Sequence, residues 1–312
     1  MIERFVAIGT AGELAGILTQ HDADQAQAAD VAVVFLNAGF LHRVGPNRMY
    51  VTLARRLASH GVLALRYDAA GIGESASRNT DATRHRRDVA DAIDVLDHLE
   101  QQFGIRRVIL CGLCSGAELA HDVAVVDSRV DAVIALEGYS YPTLGHYARL
   151  IRAGLRRVST WRNVLTGRHP LTRWLRPSSR TRAAGPSFGF GRAGRKRPPQ
   201  AVIAAGLATL VQRGVGLLLF FAGSDEYSYA AQFRRAFPRV PFGDQLTVYF
   251  EPHADHTFSD VPTLDRIAER IEAWVVARYV RRSASPTNRS SATDGSNATR
   301  NGLGVSQRSS TT

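Results

Sequence analysis

The chain has 312 residues, 45% of them hydrophobic, which is enough to bury a sizeable core and excludes disorder throughout. Its formal net charge of +11 is unevenly placed: residues 147–200 carry thirteen arginines and the sole lysine, Lys196, without one acid, and the tail from residue 281 carries five arginines against Asp294. The rest of the chain is mildly acidic, which excludes a uniformly basic nucleic-acid binder and confines any anionic partner to that segment and the tail.

In chain order, Arg4–Ile8 and Glu13–Thr19 alternate apolar and polar residues around Gly-Thr-Ala-Gly and predict a β-hairpin. Val31–Leu36 is a continuous apolar run, as a strand covered on both faces requires, and Asn47–His60 follows with helical spacing. Val62–Tyr67 predicts a strand and Asp81–Phe103 a long amphipathic helix; Arg107–Cys111, Ser115–Val126 and Val130–Leu136 continue the strand–helix alternation. After Gly138 an Arg-, Trp-, Ser-, Gly- and Pro-rich segment interrupts it. A helix over Gln200–Arg213, a strand over Val215–Phe221, a helix near Tyr229–Phe237, a strand over Gln245–Phe250 and a last helix over Thr263–Val280 restore it. This order predicts an α/β, doubly wound, mostly parallel sheet, with core residues 1–139 and 200–281, a basic insertion at 140–199 after the sixth strand, and a disordered tail at 282–312.

The residues richest in chemistry are Arg107-Val-Ile-Leu-Cys-Gly-Leu-Cys-Ser-Gly116, a strand running into a helix through Gly-x-Cys-x-Gly. Small residues on either side let the chain turn sharply and hold Cys114 in a strained turn above the carboxyl edge of the sheet. The helix N-terminus behind it offers free N–H groups to a thiolate or an oxyanion. Cys111 and Cys114 also fit C-x-x-C, yet Cys111 sits in the strand, and three strand steps span about 10 Å, too far for a disulfide. Two cysteines make neither a disulfide scaffold nor a four-cysteine zinc site.

This elbow and the order of elements resemble the α/β-hydrolase superfamily, within its serine aminopeptidase-like and related branches, over roughly residues 1–280. Cysteine at the elbow is similar to dienelactone hydrolases and polyhydroxyalkanoate synthases, and Gly-Leu-Cys also resembles the hydrolases associated with exosortase systems. The resemblance implies an oxyanion loop at Asn37-Ala38-Gly39-Phe40, where Asn37 departs from the usual His, so that the backbone N–H groups of Phe40 and Ser115 point at the developing oxyanion. Asp68-Ala-Ala-Gly-Ile-Gly-Glu-Ser75 resembles the D-x-x-G-x-G-x-S turn after the fourth strand of the superfamily; as a dinucleotide-binding loop it lacks the third glycine.

The superfamily order of nucleophile, acid and histidine implies Cys114, Asp225 and His256. Glu137, after the sixth strand, and Glu226 are alternative acids, and His253 is the alternative base. The expected function is hydrolysis of an ester or thioester through an acyl-enzyme. Transfer to a nonwater acceptor, or a catalytically silent binding protein of the same fold, are the competing readings. A small-molecule or carrier-bound acyl substrate is expected, with the insertion as a cap whose arginines meet an anionic partner and no specific nucleic acid. No cofactor or metal motif occurs. The N-terminus does not read as a signal peptide, and apolar runs such as Val215–Ala222 are too short to span a bilayer, so a cytoplasmic protein is expected.

Overall fold

A computed structural model of the chain describes residues 1–22, 30–78, 80–156, 197–224 and 227–280. Eight strands form one sheet: β1 (Ile2–Ile8), β2 (Leu14–Gln20), β3 (Val31–Leu36), β4 (Leu63–Tyr67), β5 (Arg107–Leu113), β6 (Val130–Leu136), β7 (Gly216–Ala222) and β8 (Leu246–Glu251), in the order β1-β2-β4-β3-β5-β6-β7-β8. β1 pairs antiparallel with β2, and β2 antiparallel with β4; every later pairing is parallel. The helices are α1 (Met49–Ala58), α2 (Arg84–Phe103), α3 (Ser115–Val126), α4 (Leu144–Arg156), α5 (Gln200–Gln212), the short α6 (Gln232–Ala236) and α7 (Val261–Val275).

The unbroken apolar run of β3 is divided residue by residue between two cores. Ala32, Val34 and Leu36 face one with α2, α3 and α5, while Val31, Val33 and Phe35 face the other with α1 and α7. That two-sided burial explains why the central strands read as continuous rather than alternating sequence, and it gives the doubly wound sheet expected. α4 follows β6 at the start of the segment assigned to the insertion; residues 157–196 of that segment, and the tail from 281, lie outside the described residues.

Several element ends differ from the sequence reading for local reasons. α2 begins at Arg84 because the Thr83 side chain accepts the Arg86 N–H and caps it. The last helix begins earlier, at Val261, where Asp260 accepts the Thr263 N–H, and gives way at Val276 to a π-turn over Val276–Val280.

Because β3 to β8 are parallel, the ends of β3, β5, β6 and β8 emerge on one edge. Tyr50, fully buried on α1, ties two of them together: its hydroxyl donates to Leu36 O and accepts from Leu113 N–H, both at 3.0 Å. Tyr50→Phe leaves a buried carbonyl and a buried N–H without that partner, so the expected loss is about 1–3 kcal/mol of stability. The check is a urea titration, in which the midpoint falls with an unchanged slope; an unchanged midpoint would show that the bridge carries no stability.

Candidate active site

Cys114 stands between β5 and α3 with φ 55° and ψ −113°, a conformation that L-residues rarely adopt. The glycines beside it are required by contact. A Cβ on Gly112 would lie 2.3 Å from the Gly116 carbonyl carbon, and one on Gly116 would lie 2.7 Å from Leu36 O and 2.8 Å from Asn37 O. The turn is held by Cys114 N–H donating to Leu136 O at 2.8 Å, while Cys114 O accepts from Ala117 and Glu118 at the start of α3.

The loop after β3 is built toward this elbow. Asn37 is buried; its Nδ2 donates to Leu41 O at 2.9 Å and its Oδ1 accepts from Ala69 N–H at 2.8 Å, which locks the loop to the end of β4. Gly39, at φ 63°, donates its N–H to Ser115 Oγ at 2.7 Å. Phe40 and Ser115, the two residues expected to supply oxyanion N–H groups, are thereby brought to opposite sides of one short hydrogen bond beside Cys114. Ser115 is the first residue of α3, so its own N–H has no acceptor within the helix.

The Asp68 to Ser75 turn does a structural task here. Asp68 is fully buried and accepts from the Arg43 backbone and guanidinium, and Arg43 also pairs with Glu74. Gly73 is forced, because a Cβ there would lie 2.2 Å from the Asp68 carboxylate. Arg43, unremarked in the sequence, thus ties the oxyanion loop to the turn after β4.

On the other side of the elbow, Glu137 directly follows β6 at φ 54° and is 6% exposed. One carboxylate oxygen accepts the Ala222 N–H from β7 and the other pairs with His256 Nδ1 at 3.0 Å. His256 lies on the loop after β8. That loop is pinned by the fully buried Phe258 and by Asp255, which accepts Thr257 N–H at 2.8 Å, Thr257 Oγ1 at 2.9 Å and Ser259 N–H at 3.2 Å. Burial would raise the Asp255 pKa, but the bonds from Ser259 and Thr257 outweigh it and keep it lowered.

With Nδ1 committed to Glu137, the other ring nitrogen, Nε2, is sealed from solvent. The hydrogen bond with Cys114 and then that with Glu137 raise the His256 pKa from its ordinary 6.5 to about 9, against the opposing effect of burial. The Cys111 thiol, by contrast, is fully buried and pushed up by burial alone, so it stays neutral. His253 is exposed on the His256 loop, and Asp225 and Glu226 lie outside the described residues. The described carboxylate on the histidine is therefore Glu137. Its sequence signal was an acid placed directly after a strand that is buried at every position but Asp131. No group of three or more potential metal ligands gathers among the described residues.

The model of the family described as serine aminopeptidase, S33, matches residues 29–184, half of the chain and the part that contains the oxyanion loop and the elbow. The chain belongs to the serine aminopeptidase S33 family. This S33 member is an α/β-fold hydrolase, and its elbow carries Cys114 where the family description names a serine enzyme. Solved structures share the fold. An esterase of Pyrococcus furiosus is similar at a TM-score of 0.57 and 13% identity over 89% of this chain and 92% of that one. Est1E from Butyrivibrio proteoclasticus is similar at 0.53 and 14% over 88% and 98%. A putative α/β hydrolase from Agrobacterium tumefaciens is similar at 0.53 and 14% over 89% and 96%. No curated protein matches the chain by sequence. Among the described residues, no helix of this S33 hydrolase is long and apolar enough to cross a membrane.

A histidine pKa raised on folding makes the protonated ring part of the stability of the hydrolase. That stabilisation is fully present below about pH 6.5 and is lost as pH rises through about 9. The urea midpoint is expected to fall across this window in the native protein and to fall less in His256→Gln; equal slopes in both would remove His256 as the source.

Proposed function

We infer that this hydrolase cleaves carboxylic esters or thioesters through an acyl-enzyme on Cys114, with His256 as proton carrier and Glu137 as the carboxylate that orients it. The observation that carries this reading is the 3.0 Å contact of Glu137 Oε2 with His256 Nδ1, on a ring whose pKa the Cys114 thiol and Glu137 both raise. This supports a nucleophile, a base and an orienting acid acting in series.

In the proposed reaction the proton shared by Cys114 and His256 starts on the imidazole, and the thiolate sulfur attacks the carbonyl carbon. The Phe40 and Ser115 N–H groups receive the oxyanion. Collapse breaks the bond to the alkoxide or thiolate leaving group, which takes the proton from the imidazolium. Water then attacks the thioester with His256 accepting its proton, and the acid product leaves with the Cys114 thiol restored. A histidine held near pKa 9 has its proton available for the leaving group at neutral pH. The basic insertion at 140–199 is proposed as a cap that meets anionic or carrier-bound acyl substrates, and acyl transfer to a nonwater acceptor runs through the same intermediate.

The test is release of p-nitrophenol and of thiol from short acyl esters and thioesters, with mass analysis of the protein. Cys114→Ala and His256→Ala are expected to lose at least about a thousandfold in kcat, and Glu137→Gln about 10²-fold or more, because an amide holds the imidazole without stabilising its charge. The rate is expected to decline as pH rises through about 9, where the imidazolium proton is lost. A folded native protein that gives neither turnover nor an adduct at Cys114 would favour a silent binding fold; activity that survives in Cys114→Ala would move the nucleophile elsewhere.

A further inference from the structure

Beside the elbow, on the β4 side, lies a cavity of about 440 Å³ bounded by the oxyanion loop, the end of β4 and the first turns of α2 and α3. Gly39, Phe40 and Ser115 line it where it meets the elbow; Tyr67, Ile72 and Leu119 line it further in. We propose that this cavity receives the acyl part of the substrate, that the acyl part is an apolar chain, and that Leu119 sets the chain length accepted. The proposal rests on the acyl-enzyme reading for Cys114.

The direction follows from the order of the strands. Along the sheet edge β4 and β3 come first, β5 with the elbow next, and β6, β7 and β8 last. The Glu137–His256 pair therefore stands on the far side of Cys114 from the cavity. A leaving group must take its proton from His256, and the water that follows must give one to the same ring, so both occupy the β6–β8 side. The carbonyl oxygen is fixed by the N–H groups of Phe40 and Ser115. The one remaining substituent of the carbonyl carbon is the acyl chain, and it is directed away from His256, into the space that Gly39, Phe40 and Ser115 themselves bound.

The chemistry of the chain follows from the walls. Phe40 is 80% exposed at the mouth, whereas Tyr67, Ile72 and Leu119 are at most 7% exposed, so the inner wall is mostly apolar, its buried polar exception being the Tyr67 hydroxyl. The charged groups belong to the start of α2 and are paired, Arg84 with Asp88 of the same helix at 3.5 Å and His85 with Asp122 of α3 at 3.2 Å. Arg84 also stacks over the Phe40 ring at 4.3 Å and donates to Gly39 O at 3.3 Å. These charges hold the mouth in shape, and the space behind them offers dispersion and exclusion of water to a hydrocarbon chain.

Two ester series separate the two sides of the carbonyl: p-nitrophenyl esters with unbranched acyl chains from acetate to decanoate, and acetate esters of alcohols of increasing length. In the native protein kcat/KM is expected to climb by up to about fourfold per acyl methylene, the worth of one buried CH₂, until the cavity is full. Leu119→Ala is expected to move that limit to longer chains and Leu119→Phe to shorter ones, with the order of the alcohol series unchanged in both. Because the two substitutions shift the limit in opposite directions, loss of fold in one leaves the other to decide. An acyl adduct on Cys114 whose length limit ignores both substitutions, or whose alcohol series shifts in place of the acyl series, overturns the inference and leaves the catalytic reading standing. Absence of any Cys114 adduct in the native protein overturns both.

Discussion

The backbone of Gly112 packed against the backbone of Gly116 is the contact on which the site depends. Because no side chain separates them, β5 can reverse into α3 within a few residues and lift Cys114 clear of the sheet at φ 55°. Such a backbone stores on the order of 1–3 kcal/mol of strain, which persists only where its surroundings leave no alternative. Here β5 lies between β3 and β6 with both faces buried, and α3 packs on the sheet behind it. Gly116 also touches the carbonyls of Leu36 and Asn37 at distances that exclude a Cβ, so the same close approach that bends the elbow sets how near the oxyanion loop can come. The position of Cys114 and that of the loop after β3 are thus one packing problem with one solution.

A second left-handed residue, Glu137, and a third, Phe258, stand on the same edge of the sheet. Each ends a segment with good reason to be rigid: Glu137 leaves the buried β6, and Phe258 plugs the loop after β8 into the core. A carboxylate as buried as Glu137 is costly unless its oxygens are answered, and both are, one by the Ala222 N–H and one by His256. The imidazole then extends this buried negative charge toward the thiol. Its raised pKa follows from position, since it sits between two groups that each favour its protonated form.

The sheet and its elbow were legible in the chain because their signals are local. A strand buried on both faces must be apolar throughout, and a nucleophile turn must have glycine on either side. Helix starts shifted where a single cap decided them, as at Thr83 and Asp260. Linear order points to Asp225, which lies outside the described residues, whereas the approach of Glu137 to His256 joins residues 119 positions apart and depends on β6, β7 and the loop after β8 meeting in space. No spacing encodes that. Tyr50 and Arg43 were invisible for the same reason: each is locally an ordinary residue, and becomes structural only through partners distant in the chain, Leu36 and Leu113 for Tyr50 and Asp68 for Arg43.

Sulfur at the elbow changes what the site asks of its histidine. A thiol gives up its proton more readily than a hydroxyl, so on the proposed reading the proton shared by Cys114 and His256 passes more easily to the ring than it would from an oxygen. A hydroxyl in the same place would hold its proton far more tightly, and the transfer would run uphill until the carbonyl was under attack. The coupling also runs the other way, because Cys114 is the first cause of the raised histidine pKa and Glu137 only the second. Without the sulfur, the ring keeps one favourable partner against the burial that opposes its charge, and its pKa moves down. The raised pKa of His256 therefore belongs to the ring together with Cys114 and Glu137, and it would change with the element at the elbow.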